Sequence, residues 1–156
     1  REEFERVERL PGLNPVGWGY GGSPDAITFR VNTPIQIVGC TVLGGQAGEY
    51  AAKIKILVGN NSQAGECLGS AEVRWGSAGE VVQKADVFFD EPIPIEAEKR
   101  YTFVEEMQVL GKSTHSGGGG GREKVGSDGV KFQFDGSAGA NNGTSTGGGQ
   151  IPSILY

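Results

Sequence analysis

Few residue types in this chain could make or break bonds, and their spacing is unhelpful. His115 is the one histidine, with Ser113 and Ser116 close by in sequence and several aspartates elsewhere. A Ser-His-Asp acyl-transfer arrangement would want a Gly-x-Ser-x-Gly elbow between a strand and a helix, and the chain has none. A zinc centre wants four ligands in short pairs, whereas Cys40, Cys67 and His115 are scattered singles. The run Gly117–Gly121 invites comparison with a phosphate cradle. A P-loop needs Lys-Ser/Thr and a helix after its glycines, and here Arg122-Glu123-Lys124-Val125 follows. Asp86, Asp90, Glu91, Glu96 and Glu98 bracket two prolines and could serve as acid and base or hold calcium. A solvated, aggregation-resistant edge accounts for them equally. The expectation is a non-catalytic domain with no catalytic residue, no metal and no cofactor.

What remains is binding. Trp18 and Tyr20 stand in Gly17-Trp18-Gly19-Tyr20-Gly21-Gly22-Ser23-Pro24-Asp25. An aromatic on a glycine-rich loop either tucks into the end of a fold or anchors a partner. The sequence leaves Trp18 open between the two and leans towards exposure for Tyr20. The last third alternates glycine clusters with short apolar runs, so three loops become candidates: Trp18–Asp25, Ser113–Arg122 and Asn141–Gly148. The candidate partner-binding residues are Trp18, Tyr20, Ser23, Asp25, Ser113, His115, Gly117, Gly118 and Asn142. Tyr50 and Trp75 read as packing residues.

The elements that must hold these loops read as strands. Glycine makes up 28 of 156 residues, too dense for helix. Ile27, Phe29 and Val31 alternate with Thr28 and Arg30, Ile54, Ile56 and Val58 with Lys53 and Lys55, and Val130, Phe132 and Phe134 with Lys131 and Gln133. That period of two marks half-buried antiparallel strands. Ile35–Leu43 reads as a central strand, with Val81–Asp90 and Arg100–Leu110 as longer candidates broken by Pro92 and Pro94. Arg1–Leu10 fits one helical turn or an N-terminal strand. Turn signals every 8–12 residues predict an all-β sandwich, one domain over residues 1–156. Cys40 and Cys67, each in a strand-like run, are expected to be buried free thiols. Asn60-Asn61-Ser62 and Asn142-Gly143-Thr144 read as turns.

The net charge of −5 and pI near 4.9 argue against nucleic acid and anionic membranes as partners. No apolar run approaches the roughly 20 residues that span a bilayer. The chain opens on Arg1, which reads as a domain taken from something longer.

The ordered set of motifs resembles the PHR domain, named for the Pam/Highwire family of giant neuronal ubiquitin ligases and also found in BTB-domain adaptors of cullin ligases. The matching pieces begin with Gly17–Phe29, then Gly44-Gly45 and Gly48-Glu49-Tyr50. They continue through Phe89-Asp90-Glu91-Pro92-Ile93-Pro94-Ile95-Glu96-Ala97, Tyr101-Thr102 and Ser116-Gly117-Gly118. Val130–Phe134, Asn142-Gly143-Thr144, Gly149-Gln150-Ile151-Pro152 and Leu155-Tyr156 complete them. The resemblance implies a single antiparallel sandwich of about ten to eleven strands with long glycine-rich loops. It implies a monomeric interaction module that recruits substrates or regulators of a ubiquitin ligase, with the transfer chemistry elsewhere in the parent chain. A cytoplasmic location, in neuronal projections and synapses, is likewise implied. The C-terminal motifs favour a Pam-type parent over a BTB-type one. A small-ligand or carbohydrate-binding sandwich and a structural spacer are the competing readings.

Overall fold

The computed structural model of the chain describes residues 3–45, 48–76, 82–108 and 113–156. Twelve strands are present among them, and no helix. They are β1 (Arg6–Glu8), β2 (Gly12–Trp18), β3 (Asp25–Val31), β4 (Ile35–Leu43), β5 (Tyr50–Val58), β6 (Cys67–Trp75), β7 (Lys84–Ile95), β8 (Tyr101–Met107), β9 (Thr114–Gly118), β10 (Glu123–Val125), β11 (Lys131–Gly136) and β12 (Ser153–Leu155). Four strands pair in the order β1-β12-β4-β7, six in the order β10-β11-β3-β8-β5-β6, and β2 pairs with β9 alone. Every strand pairing is antiparallel.

The two larger sheets bury one core between them. Ile27, Phe29, Ile54, Ile56 and Phe103 come from the six-stranded sheet, and Ile37, Val42, Phe89, Ile93 and Ile154 from the four-stranded one. Phe89 and Phe103 meet across the gap with ring centroids 5.9 Å apart. Each such side chain contributes roughly 1.5–3 kcal/mol by leaving water. The alternation that predicts these strands is the alternation the sandwich uses. The outer positions Ala26, Leu57 and Val104 are buried as well, in a small separate cluster. The 137–142 segment runs past this side: Ala138 exchanges bonds with Asn60 and Ser62, and Asn141 brackets Ala26 through both backbone groups.

Four expectations need correction or completion. Pro92 and Pro94 do not break a strand; β7 runs through both. Proline is tolerated there because β7 lies at a sheet edge, where a missing N–H can face away from the ladder. The far ends of the predicted Val81–Asp90 and Arg100–Leu110 strands lie outside the described residues. Arg1–Leu10 supplies strand β1, and not a helical turn. Ser113–Arg122 is not simply a loop, since Thr114–Gly118 pairs with β2.

The cysteines also divide. Both are free, but Cys40 is buried and Cys67 exposed, because Cys67 opens β6 at the rim of its sheet. Burial raises the Cys40 thiol well above its ordinary pKa, and the carboxylates of Glu105 and Asp86 add to this. The native chain should therefore take up one equivalent of a maleimide quickly, at Cys67. The second should react only with unfolding, and mass spectrometry of the labelled peptides reads both.

Candidate functional site

The site is built where three segments far apart in sequence are forced together at one end of the sandwich. β2 ends at Trp18, placed opposite Thr114 by the β2–β9 register. β9 is tied to the four-stranded sheet by a bond from the His115 amide to the Gly44 carbonyl, 2.8 Å. Gly117 and Gly149 bridge in both directions, which draws the 141–150 loop against β9. Gly149 has φ 117°, and a methyl group there would lie 2.6 Å from Thr144 Oγ1. Only glycine fits that turn without strain.

Asp25 is the hub. It is fully buried at the start of β3, and its carboxylate accepts from three side chains. Thr144 Oγ1 donates at 2.7 Å, Trp18 Nε1 at 3.3 Å and Asn142 Nδ2 at 3.5 Å. Burial raises the Asp25 pKa, and these donors oppose the rise. Thr144 Oγ1 also accepts from the Gln150 amide, whose side chain in turn donates to the His115 carbonyl. Asn142 reaches the Gly19 carbonyl at 2.7 Å, and its amide binds the Pro24 carbonyl. The Trp18 ring lies against Gly143, where a methyl group would sit 3.4 Å from Cη2.

Beneath this network Tyr20 turns inward. Its hydroxyl pairs with Thr114 Oγ1 at 2.9 Å, and burial followed by the charge of Glu105 pushes its pKa far above the phenol range. Tyr50 stacks on Trp75, as packing residues should, and its hydroxyl donates to the Ser113 carbonyl. Glu105 faces Asp25 across the β3–β8 ladder. Directly opposed residues point to the same face with Cβ atoms about 5 Å apart. Glu105 is wholly buried, and neither carboxylate oxygen has a hydrogen-bond partner among the described residues. Desolvation, then the charge of Asp25, raises its pKa to about 8, so it is held neutral under the loops.

Arg9 fastens the other side of the same loop. It is completely buried and donates to the carbonyls of Ser145 (2.7 Å), Ile151 (3.0 Å) and Gln150, with its guanidinium over the Phe134 ring.

The candidate residues thus converge, but not all on the surface. Ser23 and Ser113 are exposed, and Trp18, Asn142 and Gly118 half-buried. Tyr20 is a correction: it is half-buried with its hydroxyl inward, and not a projecting anchor. Asp25, His115 and Gly117 are buried, lying beneath the loop surface rather than projecting from it. A methyl group on Gly117 would lie 2.7 Å from Leu10 Cβ, so β9 packs too closely for a side chain there. His115 lies at 8% exposure, inside the fold. Arg9, Glu105, Thr144 and Gln150 were missed. Arg9 follows Glu8 and Glu105 precedes Glu106, and residue type alone assigns such charges to solvent. Thr144 closes the Asn142-Gly143-Thr144 motif, the one signal that pointed near it. Among the described residues, no three His, Cys, Asp or Glu side chains are grouped to hold a metal ion.

The PHR domain profile matches residues 7–156. The chain is 34% identical over 163 residues to the E3 ubiquitin-protein ligase MYCBP2 of Danio rerio, covering all of this chain and 3% of that protein. It is 34% identical over 161 residues to the E3 ubiquitin-protein ligase highwire of Drosophila melanogaster, again 3% of the relative. BTB/POZ domain-containing protein 6 of Xenopus tropicalis matches at 30% identity over 141 residues, 89% of this chain and 25% of that protein. The chain therefore spans a small part of each relative, and what is shared is the domain. Since the match runs from Val7 to the final Tyr156 and takes in every segment that builds the loop cluster, the chain belongs to the PHR domain family.

Proposed function

We propose that this domain is a non-catalytic protein-interaction module of a ubiquitin-ligase component, and that it binds substrates or regulators through the Trp18–Ser23, Ser113 and Asn142 surface. The observation that supports this reading is the Asp25 hub. A buried carboxylate holds Trp18, Asn142 and Thr144 from two loops more than a hundred residues apart. Such an arrangement pre-organises a surface with a half-buried indole at its centre, the kind of anchor on which binding energy concentrates. The relatives support the ligase context, being E3 ubiquitin-protein ligases and BTB/POZ proteins. Ubiquitin transfer would be carried out by other parts of a parent chain. A large Pam-type ligase fits best, on two relatives at 34% identity, with a BTB-type adaptor as the second reading. A cytoplasmic, neuronal setting at axons and synapses belongs to the same proposal.

The test is affinity capture from neuronal lysate with this chain as bait, beside a Trp18→Ala, Tyr20→Ala variant whose folding is checked by its urea midpoint. Proteins retained by the wild type should be lost with the variant. Identical captures would assign the domain a spacer role or place its binding face elsewhere.

A further inference from the structure

The opposite end of the sandwich carries a second surface with different chemistry. Three grooves adjoin around the Pro92–Pro94 stretch of β7. One, of about 590 Å³, lies between β6 and β7 and includes Pro92 and Pro94 in its lining. The second, of about 580 Å³, shares Pro92 and is floored by Ile35, Val38 and Tyr156. The third, of about 720 Å³, shares Pro94 with the first and Ile35 with the second. β4 runs from Ile35 at these grooves to Leu43 beside Gly44, which binds β9. At about 3.3 Å per residue, roughly 30 Å separates the two ends. This surface is thus independent of the Trp18 site.

Its charge is one-sided. Glu3, Glu5, Asp90, Glu91, Glu96 and Asp128 line the three grooves, and no Lys, Arg or His does. Glu96 is paired with Lys99, whereas Glu3 and Glu91 form no ion pair with any described residue. The floor between them is apolar, built from Ile35, Val38, Ile95, Pro92 and Pro94 with the Tyr156 ring. Pro92 and Pro94 offer no N–H, so a partner cannot extend the sheet along this stretch of β7 and must dock by its side chains. A second copy of the chain would set carboxylates against carboxylates, and nucleic acid would be repelled.

We propose that the Pro92–Pro94 shoulder is a second docking surface, for an extended protein segment whose aliphatic or prolyl side chains fill the grooves while its flanking Lys and Arg residues meet the carboxylate rim. Charge complementarity selects this occupant. The rim would speed its association and make binding weaken with salt.

A random dodecapeptide library displayed on phage, selected against this chain, tests the proposal. Enriched peptides should carry an aliphatic or prolyl centre with basic flanks. By fluorescence anisotropy, the Glu3→Lys, Glu91→Lys pair should weaken such a peptide at least about tenfold and flatten its salt dependence. Glu91→Lys alone serves if the pair fails to fold. Trp18→Ala, Tyr20→Ala should leave the peptide's affinity unchanged, which separates this surface from the first. Failure to enrich any peptide, enrichment without basic flanks, equal binding to the charge-reversed variant, or loss with the Trp18 and Tyr20 substitutions would each overturn it. Sedimentation showing a dimer that dissociates on charge reversal would give the face to a second copy instead, and would also overturn it.

Discussion

Asp25→Ala should unfasten the loop cluster and cost the domain about 3 kcal/mol. The substitution strands three donors, of which the Thr144 hydroxyl at 2.7 Å is fully buried and the Trp18 indole and Asn142 amide partly so. Leaving a buried donor unsatisfied costs about 1–3 kcal/mol, more where the lost acceptor was charged. Some of this is offset, since removing Asp25 relieves both its own burial and the charge it imposes on Glu105. The larger consequence is functional. Without the hub, Trp18 and Asn142 lose their fixed relative position, and a partner would have to order them on binding. Urea unfolding measures the stability change, and partner retention in the capture experiment measures the rest. Asp25→Asn keeps one acceptor oxygen for Thr144 and should fall between wild type and alanine. If Asp25→Ala leaves both stability and capture intact, the hub has no role in shaping the surface.

Glu105→Gln should act in the other direction and stabilise the domain near neutral pH. The folded state holds the Glu105 proton up to about pH 8, whereas the ordinary value is 4.5. Between these values folding takes up a proton. The Glu105 contribution to stability is therefore fully present below about pH 4.5 and is lost as pH rises towards 8. At pH 7 the gap of about 2.5 units between solution pH and the ordinary value corresponds to about 3 kcal/mol. Glutamine has nearly the same shape and nothing to titrate. Denaturation at pH 4.5 and pH 7.5 should show the two proteins converging at the acid end, with the variant about 2–3 kcal/mol more stable at the neutral end. An equal difference at both pH values would mean that Glu105 acts by packing alone. Above pH 8 the wild type places a second buried carboxylate opposite Asp25, so the loops above it should loosen first. Hydrogen exchange at the Tyr20 and Asp25 amides would report this.

Much of the frame was readable from the order of side-chain types. Alternation in Ile27–Val31, Ile54–Val58 and Val130–Phe134 is a local property, because a strand with one face in the core must repeat every two residues. It located β3, β5 and β11, and the long apolar run Ile35–Leu43 located β4. The glycine-rich motifs located the Trp18–Asp25 and Asn141–Gly148 loops, since glycine density forbids helix and favours reversal. Reading failed where a neighbour decides the outcome. Pro92 and Pro94 look like breakers until β7 is known to be an edge strand. Cys67 looks like a core residue until its strand is known to be the rim of its sheet. Thr114–Gly118 looks like a loop until β2 lies beside it.

The candidate site follows the same division. The sequence by itself determined the residue types available for binding, two of the three loops that carry them, the absence of a nucleophile elbow and of paired metal ligands, and the family. Only the tertiary structure decided that Asp25 is a buried hub rather than a surface acid, that Tyr20 points inward, and that Arg9 and Glu105 are buried charges. The physical reason is that burial and partnership are properties of pairs. Asp25 and Thr144 are 119 residues apart, and Arg9 and Ile151 are 142 apart. No local pattern encodes a bond across such distances; it forms because the strand order brings those backbones together.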